Sequence, residues 1–140
     1  MSHALALGLM VVIALGPAFA FADEAKAKTP DDIRAGAAQR GRASWYGAQH
    51  HGRETASGET FNMRALTAAH RTLPFGTRLR VTNLDNGKTV QVRVNDRGPH
   101  VRGRMLDLSY AAARAIGGIG AGIMRIRMEV IAPPTMTAKH

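Results

Sequence analysis

Strict alternation of apolar and polar residues marks two segments of this chain and leaves little freedom in their secondary structure. Residues 90–94 read VQVRV and residues 124–130 read MRIRMEV, so every second side chain in each segment is apolar. Successive side chains of a β-strand point to opposite faces of its sheet, whereas an amphipathic helix needs an apolar residue every three or four positions. Both segments are therefore predicted to be half-buried strands with one apolar face.

A third segment, residues 79–82, alternates in the same way and leads into the first of these strands. The connection at residues 84–87 reads LDNG, and its Asn-Gly pair readily adopts the positive backbone angles of a tight turn. The two strands are therefore predicted to form a hairpin with Asn86 and Gly87 at its tip.

One helix is well marked. Ser109 is suited to cap its start, residues 110–116 are rich in Ala and Arg, and Gly117 with Gly118 ends it. The rest of the domain consists of short strand-like segments joined by Gly-rich connections. We therefore expect a mainly β domain with one or two short helices, arranged as a small closed barrel because closure removes exposed strand edges.

The first 22 residues have the pattern of an export signal. An uninterrupted apolar run covers residues 4–15, a Gly-Pro pair breaks it, and small residues at positions 18, 20 and 22 precede the acidic pair Asp23-Glu24. This order is typical of a signal peptide, and we expect cleavage after Ala22. Because no Lys or Arg precedes the run, an uncleaved membrane anchor is the alternative. In both cases the folded part lies outside the cytoplasm, and cleavage makes the protein periplasmic or secreted.

The remainder of the chain divides into three parts. Residues 23–41 are polar and Ala-rich without an apolar period, and they are predicted to be a flexible linker with room for a short helix from Asp31. Residues 42–131 form the single domain that this chain length allows. Residues 132–140 are predicted to be a frayed tail.

Composition excludes several classes of protein. The chain has no cysteine, which removes disulfides, thiolate chemistry, cysteine-rich zinc sites and the acylated cysteine of a lipoprotein. Lys and Arg total 19 against 10 Asp and Glu, and the net charge of +9 favours an anionic partner. For an exported protein, that partner is an anionic wall polymer, a peptidoglycan carboxylate or a membrane surface; charge that serves only solubility is the alternative. Nucleic acid is a poor candidate, because export and an aromatic content of 5% argue against a stacking platform.

Four parts of the domain concentrate polar groups that a small barrel does not need for its core. They read ASWYG at 43–47, TASGETF at 55–61, LTAAH at 66–70 with LPFGT at 73–77, and VNDRGP at 94–99 leading to DLS at 107–109. In this order and spacing the strings resemble the double-psi β-barrel domain of the rare lipoprotein A family, the septal-ring lytic transglycosylases. They resemble the first domain of expansins more remotely. The resemblance covers nearly all of residues 42–131.

The resemblance implies both a fold and a reaction. The fold would be a six-stranded double-psi β-barrel of two interlocked halves. The reaction would cleave the β-1,4 bond between N-acetylmuramic acid and N-acetylglucosamine, with the muramyl 6-hydroxyl as nucleophile and a 1,6-anhydro end as product. One carboxyl group can protonate the leaving oxygen and then accept the 6-hydroxyl proton, whereas ordinary hydrolysis of a glycoside uses a pair of carboxylates. No cofactor is implied.

Three residues match the polar positions that the family uses for chemistry. Asp96 matches the proposed acid, and its alternative role is that of a turn aspartate capping nearby amides. Glu59 and His70 match the two positions that accompany it. Glu59 would raise the proton affinity of Asp96 by like-charge repulsion, and His70 would hydrogen-bond Asp96 or the sugar. A solvated loop glutamate and a structural histidine are the alternatives.

Four further residues are predicted to bind the substrate. Trp45 and Tyr46 would stack on sugar rings, although large aromatic residues near a strand start are often part of the core. Arg97 would pair with a muramyl or stem-peptide carboxylate, and a cation at the barrel rim is the alternative. Asp107 lies within an apolar stretch and would either line the groove opposite Asp96 or accept hydrogen bonds from the helix start at residues 109–111.

A metal site is not predicted. The adjacent histidines His50 and His51 point in different directions on a strand, and neither His70 nor His100 completes a ligand set with metal spacing. No glycine-rich phosphate loop and no nucleophile elbow is present in the sequence.

The sequence departs from many family members in lacking a lipobox cysteine and a C-terminal sporulation-related repeat. We therefore expect a minimal monomer without a stable membrane anchor after signal cleavage. Its expected partner is the peptidoglycan glycan strand, and an association with cell-division or wall-remodelling machinery stays open. The competing hypothesis is a non-catalytic, expansin-like module that binds or loosens the wall; the TASGE string with His70 and Asp96 favours the enzyme.

Overall fold

A computed structural model describes residues 38–135. Its elements are six strands and one helix: β1 (Ala38–Tyr46), β2 (Thr67–Ala69), β3 (Arg78–Asn83), β4 (Thr89–Asp96), β5 (Arg104–Ser109), α1 (Tyr110–Ala115) and β6 (Met124–Ala132). The expected domain bounds of 42–131 fall just inside these strands, since β1 begins at Ala38 in the part assigned to the linker. The predicted signal peptide, most of the linker and the last five residues lie outside the described residues.

The six strands close into a barrel in the order β1, β5, β2, β4, β3, β6. Strand β1 runs parallel to β5 and β2 runs parallel to β4, while the remaining neighbours are antiparallel. Parallel neighbours need crossover connections, so the barrel is built from interleaved parts of the chain rather than from consecutive hairpins. The prediction of a mainly β, six-stranded barrel is confirmed.

The core follows from the alternation in the sequence. In β3 and β4 the apolar residues are buried, and in β6 all but the last two, Ile131 and Ala132, are; most of the residues between them are exposed or half-buried. Residues with no exposed surface include Leu79, Val81, Val94, Leu106, Leu108 and Ile126. The barrel interior is therefore packed with aliphatic side chains, and the polar groups needed for chemistry are confined to the barrel end and its loops.

The predicted hairpin is confirmed, but its turn differs from the expected one. Strands β3 and β4 pair antiparallel, and the Asn83 N–H donates to the Lys88 carbonyl at 2.9 Å, which leaves a four-residue loop. Gly87 has a φ of 74°, whereas Asn86 keeps a negative φ. Asn86 instead donates from Nδ2 to the Ile116 carbonyl at 2.9 Å, which ties the loop to the end of α1.

The predicted helix is also present. Ser109 caps α1 by accepting a hydrogen bond from the Ala112 N–H at 3.2 Å. Ile116 is the C-cap, and Gly117 follows with a φ of 70°. Within residues 38–135, no helix is long and apolar enough to cross a membrane.

Candidate active-site groove

An open groove of about 370 Å³ lies where the ends of β1, β2, β4 and β5 meet. Five of the seven predicted site residues line it: Trp45, Tyr46, Asp96, Arg97 and Asp107. Ser44, His50, Ala69 and Arg104 complete the lining, while Glu59 and His70 are not among its lining residues.

Strand register explains why the two aspartates meet. Asp96 on β4 pairs with Ala69 on β2, Ala69 pairs with Asp107 on β5, and Asp107 pairs with Ser44 on β1. These four residues form a row across four adjacent strands, which we call the carboxylate row. Because the alanine between the carboxylates has only a methyl side chain, the row leaves room for a ligand between them.

The two carboxylates of the row differ in their surroundings. Asp96 accepts hydrogen bonds at Oδ1 from the backbone N–H groups of Ala56 at 3.0 Å and Arg97 at 2.8 Å. Within residues 38–135, no further hydrogen bond of normal geometry reaches Asp96 and no cation forms an ion pair with it, although the Tyr46 hydroxyl lies close to its carboxylate. One oxygen is thus oriented by the protein, and the other is available to a substrate.

Asp107 has partners of a different kind. It accepts a hydrogen bond at Oδ1 from the Ser44 hydroxyl, and Nη2 of Arg104 lies 3.7 Å from the same oxygen. It accepts no hydrogen bond from the first turn of the helix, where the Ala111 N–H donates to the Met63 carbonyl and the Ala112 N–H to the Ser109 hydroxyl. Of the two roles expected for Asp107, the structure shows the position in the groove.

Tyr46 contributes its hydroxyl to the groove. Its ring packs against Phe61, with centroids 4.6 Å apart, and edge-on against His50 at 5.1 Å. The hydroxyl is buried and has no hydrogen-bond partner among the described residues. Burial, followed by the charges of Asp96 and Asp107, raises the pKa of Tyr46 well above its usual range. The residue is therefore a neutral donor near both carboxylates, and protein side chains already cover much of the ring that was expected to stack on sugars.

Trp45 contacts a side chain of the helix. Its ring meets that of Tyr110 edge-on, with centroids 5.6 Å apart, and it packs partly buried against the core. Trp45 thus packs against the core and also lines the groove, where its stacking on a sugar ring stays a prediction.

Glu59 lies in the loop beside the groove and is paired with Arg93 on β4. The guanidinium donates to both carboxylate oxygens, at 2.7 Å and 2.6 Å. These hydrogen bonds lower the pKa of Glu59, against a smaller opposing effect of burial. The loop is held to the end of β4 because the Ser57 N–H donates to the Asn95 carbonyl at 3.3 Å. Arg93 neutralises Glu59, which weakens the like-charge repulsion of Asp96 that was expected from the sequence.

His70 follows β2 and shapes the turn after it. Its Nδ1 accepts hydrogen bonds from the N–H groups of Thr72 at 3.1 Å and Leu73 at 3.0 Å. Burial, and then the charges of Arg97 and Arg71, lower the pKa of His70 to about 4. The imidazole is therefore neutral at pH 7 with its proton on Nε2. The backbone N–H of His70 donates to the Asp96 carbonyl at 3.1 Å, so the two residues are linked through the main chain.

Arg97 has mainly structural partners. Its Nη1 donates to the carbonyls of His70 at 3.2 Å and Leu73 at 2.8 Å, and the guanidinium lies 3.9 Å from the centroid of the Phe75 ring. A carboxylate bound by Arg97 would have to use the other edge of the guanidinium.

Sequence reasoning missed three polar lining residues and one supporting residue, as well as the lining alanine Ala69. Ser44 stood within the ASWYG string but was not singled out, His50 was considered only as a metal ligand, and Arg104 has no pattern that marks it. Arg71 was also missed; it donates to the carbonyls of Pro99, Val101 and Arg104 and so holds the loop between β4 and β5. In the part of the chain that the structure describes, no three His, Cys, Asp or Glu residues are grouped so as to hold a metal ion.

Known proteins resemble this chain over the barrel domain. A family model described as lytic transglycolase matches residues 38–128. A probable endolytic peptidoglycan transglycosylase RlpA of Synechocystis is 60% identical over 91 residues, which cover 65% of this chain and 28% of the relative. The endolytic peptidoglycan transglycosylase RlpA of Vibrio cholerae is 54% identical over 96 residues, which cover 69% of this chain and 36% of the relative. This chain therefore spans about a third of the length of these relatives.

One group of solved structures shares the fold. The apo expansin of Clavibacter michiganensis superposes with a TM-score of 0.57 at 28% identity, over 71% of this chain and 52% of that one. A variant of that expansin in complex with cellohexaose has the same TM-score at 26% identity.

Proposed function

Because the chain belongs to the RlpA-like double-psi β-barrel family, we propose that it is an endolytic peptidoglycan lytic transglycosylase. It cleaves the β-1,4 bond between N-acetylmuramic acid and N-acetylglucosamine and leaves 1,6-anhydromuramyl ends. The observation that carries the proposal is the carboxylate row, which places Asp96 and Asp107 in one groove with room between them.

Asp96 is the acid and base of the proposed reaction. Its protonated carboxyl group donates a proton to the glycosidic oxygen as the bond to muramyl C1 breaks. The resulting carboxylate then accepts the proton of the muramyl 6-hydroxyl as that oxygen attacks C1. One residue serves both steps and no water is consumed. The free Oδ2 suits this role, since the two backbone amides on Oδ1 fix the orientation of the carboxyl group.

Asp107 and Tyr46 support the same step. Positive charge develops at muramyl C1 when the glycosidic bond breaks, and the charge of Asp107 stabilises it from the other side of Ala69. Asp107 already has Ser44 and Arg104 as partners, whereas Asp96 keeps an oxygen directed to the groove, and we therefore assign the proton-donating role to Asp96. The buried Tyr46 hydroxyl supplies a hydrogen bond to whichever oxygen in the groove accepts one.

The substitution Asp96→Asn tests this assignment. We expect it to abolish the release of anhydromuropeptides from purified sacculi, measured by mass spectrometry, because an amide cannot donate the proton. The melting temperature should stay close to that of the wild type, because the amide keeps the shape of the side chain. Asp85→Asn, in the exposed β3–β4 loop, is the matched control and should keep full activity. A folded Asp96→Asn variant that releases anhydro products at the parental rate would rule out Asp96 as the acid.

A non-catalytic wall-binding function is the second candidate. It is supported by the likeness to an expansin whose variant is in complex with cellohexaose. Wild-type protein that binds sacculi and releases no product would favour this candidate over the enzyme.

We also propose that the chain is exported through a cleavable signal peptide over residues 1–22 and acts in the periplasm or outside the cell. This proposal is supported by the apolar run and the small residues that follow it. Peptidoglycan strands are its proposed partner and a monomer its proposed state; an association with wall-remodelling or cell-division machinery is compatible with both.

A further inference from the structure

A second groove, which we call the arginine groove, adjoins the active-site groove. It has a volume of about 510 Å³ and is lined by one loop residue and one face of α1: Arg64, Tyr110, Ala111, Arg114 and Ala115. Trp45 lines the active-site groove and Tyr110 lines the arginine groove, and their rings are in edge-on contact with centroids 5.6 Å apart. A glycan strand that extends past Trp45 on the side of Tyr110 would reach the arginine groove.

The shape of this groove follows from the spacing of residues on α1. Tyr110 and Arg114 are four residues apart and share a helix face, as do Ala111 and Ala115. The two alanine methyl groups leave space at the helix surface, and the longer Tyr110 and Arg114 side chains stand beside it. A single face of α1 thus supplies the floor of the groove at the alanines and one of its sides at Tyr110 and Arg114.

The opposite side of the groove is formed by Arg64, and hydrogen bonds to the helix start hold its loop in place. The Ala111 N–H donates to the Met63 carbonyl at 2.9 Å, and the Ser109 hydroxyl donates to the Ala65 carbonyl at 2.6 Å. Both chain neighbours of Arg64 are therefore fastened to α1. The backbone of Arg64 cannot move away from Arg114 without breaking these bonds, so the groove exists before any ligand binds.

The two guanidinium groups have no counter-ion in the described part of the chain. Ion pairs among residues 38–135 involve other arginines: Arg80, Arg93, Arg104, Arg125 and Arg127. Arg64 and Arg114 are exposed at the edges of the groove, and neither donates a side-chain hydrogen bond to a described residue. Two guanidinium groups beside one cavity suit a carboxylate, which accepts paired hydrogen bonds from this group.

We propose that the arginine groove is a subsite for a carboxylate carried by a muramyl residue of the bound glycan strand. This inference rests on the proposed function, because it takes the strand in the active-site groove to be peptidoglycan. The carboxylate is the lactyl group of a peptide-free muramyl residue or a carboxyl group of its stem peptide. Arg64 and Arg114 would hold the strand beyond the cleavage point and so contribute to affinity.

Binding measurements on uncleaved strands test the subsite. In the Asp96→Asn background, the double substitution Arg64→Gln and Arg114→Gln should weaken binding of muramyl strands by about tenfold or more. Strands whose carboxyl groups have been amidated should bind the Asp96→Asn protein equally well with and without the two arginine substitutions. The matched control is the double substitution Arg40→Gln and Arg78→Gln, which removes the same charge at exposed positions of β1 and β3 and should leave affinity unchanged.

Two results would overturn the subsite: unchanged affinity of the double variant for carboxylate-bearing strands, or an equal loss for amidated strands. A thermal melt confirms that each variant is folded, and the single variant Arg64→Gln, at an exposed loop position, repeats the comparison if the double variant is destabilised. Strands stripped of peptides carry only lactyl carboxylates, whereas in peptide-bearing strands the lactyl group is in amide linkage. The strand type that loses affinity therefore identifies the source of the carboxylate.

Failure of the subsite and failure of the proposed function give different readouts. If the protein is not a transglycosylase, the wild-type chain releases no anhydro ends. The affinity comparison is made without cleavage, so it reports on Arg64 and Arg114 whatever the wild-type chain releases.

Discussion

The charge of Glu59 is neutralised by its neighbour Arg93, and this bears on how a family-matched glutamate can act. The pair joins the loop at residues 54–60 to β4, whose last residue is Asp96. Glu59 therefore has two possible effects on Asp96: it holds the loop whose Ala56 amide orients the carboxyl group, or it acts through its charge. The two effects give different results when Arg93 is removed.

We expect Glu59→Gln and Arg93→Gln to slow anhydromuropeptide release by similar factors, about 10²-fold for a group that positions the acid. Removing either partner releases the loop in the same way. If Glu59 instead acted through its charge, Arg93→Gln would expose that charge and shift the pH profile of activity upward. Kinetics at several pH values for both variants, with Arg80→Gln as the control, separate these results.

His70 makes the stability of the barrel depend on pH. Its pKa of about 4 in the folded state lies below the usual value of about 6.5, so the folded chain binds fewer protons than the unfolded chain between these values. The contribution of His70 to stability is therefore complete above about pH 6.5 and is lost as the pH falls towards 4. The slope from one proton is at most about 1.4 kcal/mol per pH unit.

Urea unfolding of the wild type and of His70→Gln at pH 7 and pH 4.5 measures this contribution. We expect the wild type to lose more stability than the variant over that interval, because Gln does not titrate. Equal losses in the two proteins would show that His70 is not the group responsible.

At the level of elements, the β3–β4 hairpin depends on one backbone conformation. Gly87 has a φ of 74°, and no atom lies within 4 Å of the position that a Cβ would occupy. We expect Gly87→Val to reduce the free energy of unfolding by about 1 kcal/mol or more, because a β-branched residue disfavours positive φ. Gly87→Asn should cost less, since Asn tolerates this region. Equal melting temperatures for the glycine and valine proteins would contradict the argument.

At the level of the whole molecule, barrel closure brings together residues that are far apart in the sequence. The Ser44 hydroxyl meets Asp107 across 63 positions, and Arg93 meets Glu59 across 34. Because the chain has no cysteine, this arrangement is held without disulfides, by the aliphatic core, the strand ladders and side-chain hydrogen bonds between the loops. Substitutions that shift strand register should therefore affect activity as well as stability, because the carboxylate row exists only in the paired register.

Export is also a property of the whole chain. If the proposed signal peptide is cleaved after Ala22, protein recovered from outside the cytoplasm should have the intact mass of residues 23–140. A chain that still begins at Met1 and sediments with membranes would support the alternative of an uncleaved anchor.

Much of the local structure was determined by the sequence itself. The alternation in residues 90–94 and 124–130 predicted two strands, Ser109 predicted the helix start, and Gly87 predicted a turn, because each depends on residues close together in the chain. Asp96 could also be selected from a short stretch of sequence, because the string at residues 94–99 resembles that of a known family.

The surroundings of these residues depend on segments that are far apart in the chain. The short β2 strand, buried throughout, has no alternation that marks it, yet its Ala69 separates the two carboxylates. The pairing of Glu59 with Arg93 and the low pKa of His70 likewise depend on groups contributed by distant segments. Strand register is set when all six strands pack around one core, and a one-residue shift would turn each side chain to the other face. The distances between the groups of the groove therefore follow from the closed barrel and not from any single segment.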